Sequence, residues 1–413
     1  MANKQSRNGA HRSVPPLADL LTDQWPAQAS ERHKEDRISF AGDWPAGGIP
    51  SVRQAIETAR GRADGAGAEV GRSTYPGSER LRELLAGRLA GRGLPVEAGD
   101  LGLAPQGEPV IAWIARGLLR PGDAVLVESP APPACLQAFR SAGAVVVQVP
   151  CDEEGMRPED AERLAEAHRP KLAHVMPALG NPAGRIWSAA RRETMLDLGR
   201  RFGVVLLEDG AYGEWRNDEA EHGAEREASL YAMSAKTADG GVIYAGTFAA
   251  ALGPELPVGW AAADPGILAR LAALPRTPAA EEPDAGRSAE EMLFRLLEGG
   301  EVDPLLRQLS VSYSERMYRL DALLRERHWS GASWTLPNGG PFLWLTLPEG
   351  LDADALLRAA EADGVVFDPG APFYAADPPR NRLRLSVAGA AVDRLDEGFA
   401  RLAGTVDAFL ARS

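Results

Sequence analysis

Seven polar side chains of this sequence stand at or near the ends of apolar runs, where a pocket would use them. Asp209 closes the run VVLLED and Tyr212 follows three residues later. Asn181 sits in an Asn-Pro pair after LAHVMP, Thr247 ends GVIYAGT, and Arg384 lies in the alternating segment RLRLSV. Glu108 precedes Pro109, with Gln106 two positions before it. Gathered in one place, these groups support acid and base work on a small molecule that carries a carboxylate, with Asp209 or Glu108 as base and Tyr212 as acid. Each also has a plainer reading. An aspartate that ends a strand is a common turn or capping residue, and Asn before Pro is a good turn former. Arg384 fits a solvated strand face, Tyr212 and Thr247 fit satisfied core polars, and His174, inside an apolar run, fits a hydrogen-bonded core histidine.

Bringing such distant segments together requires a scaffold, and the chain contains one. Short β-rich runs at 123–130, 144–150, 172–177, 204–209 and 241–247 alternate with helical stretches such as PPACLQAF and AARRETMLDLGRRFG. That alternation predicts an α/β fold whose mostly parallel sheet is covered on both faces, with ligands at the carboxyl ends of its strands. The pattern RLRELLAGRLAGRG predicts a helix stopped by Gly93, and a second helix is expected from Pro109 to Arg120. Residues 1–36 read as a flexible arm. A large α/β domain is expected over 37–285, its N-terminal segment contributing to a small α+β domain over 286–413 that opens with a long helical region at about 289–328.

Composition narrows the partners. Of 413 residues, 45% are hydrophobic and 25% charged, which is ordinary for a globular protein. The 45 basic and 58 acidic side chains give a net charge of -13, a field that repels nucleic acid and anionic lipid. The two cysteines, Cys135 and Cys151, make no disulfide framework and no metal-ligand spacing, so no metal is expected. The polar start MANKQSRNGAHRS and the lack of any long apolar run predict a soluble, cytoplasmic protein without a membrane segment.

The order of the motifs GSERLREL, RPGDAVLVESP, GNPAGR, LLEDGAY, YAGTFAAALGPELPVGW, PNGGPFLWL, FDPGAPF and NRLRLSV resembles the class I/II aminotransferases, pyridoxal-phosphate enzymes of fold type I, in their aminoadipate-transaminase and MocR-like branch. The resemblance spans about residues 37 to 410. It implies that Asp209 pairs with the pyridine nitrogen of the cofactor, that Tyr212 and Asn181 touch the ring hydroxyl, and that Thr247 contacts the phosphate. It implies that Arg384 grips a substrate α-carboxylate. Family members are dimers with sites at the subunit boundary, so a homodimer is implied, with Arg72 or Tyr75 as residues that reach across.

Four positions depart from the family pattern. Ala250 stands where the family has the lysine that anchors the cofactor and shuttles a proton. Pro257 replaces the phosphate-binding arginine, a loss of roughly 1.5–3 kcal/mol. Gln106-Gly107-Glu108-Pro109 replaces the small pair of the phosphate cup, so that Glu108 would occupy the anion-binding helix start. Pro132 replaces the aromatic residue that stacks on the ring. These departures predict an aminotransferase-fold enzyme without a cofactor, performing acid/base chemistry such as condensation, cyclisation, elimination or acyl transfer on a small carboxylate. Two alternatives stand beside that expectation: a non-catalytic binding or heteromer subunit, and an aminotransferase-like protein that holds pyridoxal phosphate (PLP) or pyridoxamine phosphate (PMP) without a covalent bond.

Overall fold

A computed structural model describes residues 36–43, 50–65, 76–105, 108–215, 228–235, 241–254, 256–275, 285–389 and 392–412. All but the last residue of the expected N-terminal arm lie outside them. The strands, in chain order, are β1 (Ile38–Phe40), β2 (Leu101–Leu103), β3 (Ala124–Ser129), β4 (Val145–Asp152), β5 (Gly155–Met156), β6 (Leu172–Val175), β7 (Val205–Asp209), β8 (Val242–Thr247), β9 (Gly259–Ala262), β10 (Ser333–Trp334), β11 (Phe342–Thr346), β12 (Val365–Pro369) and β13 (Arg382–Ser386).

Eight of them form one sheet in the order β2-β9-β8-β7-β6-β3-β4-β5. Its middle, from β8 to β4, is parallel; β3, β6, β7 and β8 are apolar runs buried on both faces, and the strands are joined through helices. Helices Pro133–Ser141, Pro158–His168 and Ala189–Phe202 make these crossovers. The last shows how the local sequence sets its limits. The Ser188 hydroxyl accepts the Arg191 N–H at its start, and Gly203, at φ 65°, ends it in a left-handed turn. The five expected strands and the helix ending before Gly93 (Glu79–Gly91) are present, while the helix expected over 109–120 is the shorter Val110–Leu118. The long helical region is two helices, Ala285–Glu298 and Val302–Arg327, separated where Gly299 and Gly300 intervene and Gly300 takes φ 67°.

The second sheet has the order β1-β12-β13-β11-β10. β1 pairs in parallel with β12, with Ile38 opposite Val365, so an N-terminal strand completes a sheet otherwise built from the end of the chain. Register places Arg384 of β13 between Asp368 of β12 and Trp344 of β11. No helix among the described residues is long and apolar enough to cross a membrane.

Close packing under the site depends on Gly246 in β8, which lies opposite Trp260 of β9. A Cβ at Gly246 would lie 2.4 Å from the Trp260 indole, and that ring is only 1% exposed. Gly246→Ala is therefore expected to destabilise the fold by about 1–3 kcal/mol, measured as a lowered denaturant midpoint. An unchanged midpoint would contradict this packing.

Candidate active site

Asp209 ends β7 at the carboxyl edge of the large sheet and is buried. Its Oδ1 accepts the Ala211 N–H at 3.0 Å, which turns the chain sharply after the strand. Its Oδ2 faces His174 Nε2 at 3.1 Å and the Cys135 sulfur at 3.8 Å. The turn delivers Tyr212, whose ring packs edge-on against Trp215 and Phe342 at centroid distances of 5.4 and 5.3 Å. Asn181 joins two parts of the site. Its Nδ2 donates to the Tyr212 hydroxyl at 3.2 Å, and its Oδ1 accepts from Arg384 Nη1 at 2.9 Å. Four residues selected from the sequence, Asp209, Tyr212, Asn181 and Arg384, are thus gathered in one place from both sheets.

Arg384 has further partners that the sequence did not announce. Its Nε and Nη2 both donate to Asp368 Oδ2, at 3.1 and 2.7 Å, and Nη1 donates to Asp43 Oδ1 at 2.6 Å. The guanidinium lies 4.1 Å from the Phe342 ring centroid and 5.0 Å from that of Phe373. Burial works against its charge, but Asp43 and Asp368 outweigh that and hold Arg384 above its ordinary value. Asp368 was findable once FDPG and RLRLSV were paired as neighbouring strands. Asp43, 341 positions away, left no signal.

The remaining candidates sit apart from this bonded chain. Glu108 does not cap the helix Val110–Leu118, which starts after Pro109 with no side-chain cap. Both its carboxylate oxygens instead take a fork from Arg116 Nε and Nη2, each at 2.9 Å, because a guanidinium outcompetes neutral backbone donors. Gln106 lies outside the described residues, as do Arg72 and Tyr75. The Thr247 hydroxyl is used locally, donating to the Val258 carbonyl and accepting the Ala249 N–H, each at 3.0 Å. Ala250 is buried in the short helix Ala249–Leu252, Pro257 is exposed, and Pro132 is buried just before the helix Pro133–Ser141.

His174 is more than a core histidine, since it bonds the central carboxylate. Burial disfavours a charged imidazole there, but the sulfur of Cys135 and the carboxylate of Asp209 outweigh it and raise His174 to about 10. Burial also pushes the Cys135 thiol up. The ligand atoms of Cys135, His174 and Asp209 lie within 4.8 Å of one another, a donor set that is able to hold a metal ion. Two further buried carboxyls at strand ends, Glu128 and Glu208, are each pushed up to about 7 by burial and take hydrogen bonds from Trp187 Nε1 and the Tyr231 N–H.

A histidine raised in the folded state stabilises the fold fully below its unfolded value, near 6.5, and loses that contribution as pH climbs toward the folded value. Between pH 7.5 and 10 the wild-type protein is therefore expected to lose unfolding free energy more steeply than His174→Gln, by on the order of a few kcal/mol across the window. Parallel pH profiles from denaturant titrations would contradict the buried pair.

Comparison with known proteins shows what the chain as a whole is similar to. The family model for aminotransferase class I and II matches residues 41–402. An aromatic-amino-acid aminotransferase of Thermococcus litoralis is 31% identical over 339 residues, covering 81% of this chain and 79% of its own. The crystal structure of α-aminoadipate aminotransferase from Thermus thermophilus, complexed with N-(5'-phosphopyridoxyl)-L-leucine, is 28% identical with a TM-score of 0.80, covering 94% of this chain and 96% of its own. The kynurenine aminotransferase of Pyrococcus horikoshii, solved in complex with PMP, is 30% identical with a TM-score of 0.79, covering 91% and 92%. Relatives of this kind, solved with pyridoxyl ligands, overturn two expectations: that the protein has left PLP chemistry for cofactor-independent catalysis, and that it takes no cofactor. Those expectations gave too much weight to four changed positions against a scaffold similar over nine tenths of its length. The chain belongs to the class I and II aminotransferase family.

Proposed function

We propose that this protein holds PLP or PMP without a covalent bond and acts on the amino group of a small molecule. The observation that carries the reading is Asp209, a buried carboxylate at the carboxyl end of β7, backed by His174 and followed three residues later by Tyr212. The donor set fits the ring end of such a cofactor. Asp209 offers a negative charge to a protonated ring nitrogen, and the Asn181–Tyr212 pair offers hydrogen-bonding groups to a ring hydroxyl. When bound, the cofactor supplies an electron-withdrawing ring that stabilises negative charge on the carbon beside the substrate nitrogen.

The protein's own groups have separable tasks under this reading. His174 fixes the orientation of Asp209, and the Ala211 N–H restrains its other oxygen. Tyr212 is held well above its ordinary value by burial and by the nearby Asp43, so it stays a neutral phenol that orients a partner. Ala250 presents a methyl group where the resemblance implies an anchoring amine, which is the reason for proposing non-covalent holding. A homodimer is the proposed assembly, as the family resemblance implies.

Titrating the purified protein with PMP and with PLP tests this reading. Saturable binding is expected, with all cofactor lost on gel filtration even after borohydride treatment, and Asp209→Ala weakening PMP binding about tenfold or more. Ala250→Lys is expected to retain PLP that borohydride then fixes permanently. Light scattering on the same sample is expected to give the mass of two chains. No saturable binding of either compound would overturn the proposal, and borohydride-fixed PLP in the wild type would overturn its non-covalent part.

A further inference from the structure

The proposed function leaves the substrate class open, and the surroundings of Arg384 bear on it. A guanidinium grips an incoming carboxylate through two parallel N–H groups along one edge. In Arg384 the Nε/Nη2 edge is already spent on Asp368, at 3.1 and 2.7 Å. Both protons of Nη1 are spent as well, on Asp43 at 2.6 Å and Asn181 at 2.9 Å. One Nη2 proton remains, which is no fork. Asp368 is held in place by a further bond from the Gly42 N–H at 3.0 Å and by its register position directly across from Arg384. The guanidinium plane is covered by Phe342 and Phe373, and the residue as a whole is 4% exposed.

Charge points the same way as geometry. Two carboxylates against one guanidinium leave this end of the site with an excess of negative charge, which repels an incoming carboxylate. Resting on the reading that the protein handles an amino group, we infer that Asp43 and Asp368 make Arg384 an internally satisfied residue, so that the site selects amines that lack an α-carboxylate over α-amino acids. Asp43 is the specificity-determining residue, because it takes the Nη1 position that an incoming carboxylate oxygen would need. Its side chain is 36% exposed and it follows β1 where the chain leaves the small sheet.

The test uses an acid and its neutral isostere, neither of which carries an amine to react with a cofactor: 4-methylpentanoate and 4-methylpentanamide, titrated calorimetrically into the full-length protein with and without PMP. The wild type is expected to bind the amide at least as tightly as the acid. Asp43→Gly is expected to bind the acid about tenfold more tightly than the wild type does, with amide affinity unchanged, and Asp43→Asn, which keeps the side-chain length, is expected to gain in the same direction. A wild-type preference of tenfold or more for the acid, or no gain for the acid in either variant, would overturn the inference. PMP binding read by absorbance on the same samples keeps the two ideas separate. Failure to bind PMP overturns the proposed function and leaves the acid-to-amide ratio standing, whereas an acid preference with PMP bound overturns this inference alone.

Discussion

A guanidinium taken out of water is costly unless every direction in which it donates meets an acceptor. Arg384 meets that demand in four of its five N–H directions with Asp368 from the neighbouring strand, Asp43 from the exit of the N-terminal strand and Asn181 from the loop after β6. These partners come from three parts of the chain, so one buried charge pins the small sheet, the N-terminal segment and the edge of the large sheet to a common point. Asn181 then passes the constraint to Tyr212, and Tyr212 sits on the turn that Asp209 makes with its own backbone. Removing any acceptor would leave Arg384 with an unmet donor in an apolar surround, and the whole chain of bonds would have to adjust.

The second fixed charge is the Asp209–His174 pair, which sits where two parallel strands end. His174 Nε2, 3.1 Å from Oδ2, fixes the carboxylate of Asp209 in this position. The thiol of Cys135, on the helix after β3, packs on the same oxygen and completes a small polar island in an apolar floor. The carboxylate that carries the proposed cofactor contact is thus supported from behind, while the groups in front of it are held by Arg384.

Much of this was legible in the sequence, for physical reasons. Strands buried on both faces must be continuous apolar runs, so VLVES, LAHV, VLLED and VIYAGT declared themselves, and the residues that end such runs were natural site candidates. Pairing between distant segments was not legible, because nothing local encodes it. Asp43 and Asp368 therefore stayed hidden while Arg384 was visible, and Arg384 read as a residue open to substrate. Glu108 was misjudged for the same reason: the sequence displayed its place before a helix but not the fork that Arg116 turns toward it. His174 looked like an ordinary core residue because its partner, Asp209, lies on the adjacent strand. The cofactor question went astray differently, since four changed positions taken together were given more weight than a scaffold similar over nine tenths of its length to relatives solved with pyridoxyl ligands.

The central claim is that a pyridoxyl ring is held by Asp209, Asn181 and Tyr212 alone at its ring end, without a covalent anchor. The most direct measurement is a crystal structure of the protein soaked with PMP. The account predicts density for the ring with its nitrogen on the Asp209 carboxylate, its hydroxyl beside Asn181 and Tyr212, no bond to the protein, and Asp43 still seated on Arg384. A ring bound elsewhere, or a soaked crystal in which Asp209 keeps only His174 and Cys135 for company, would contradict it.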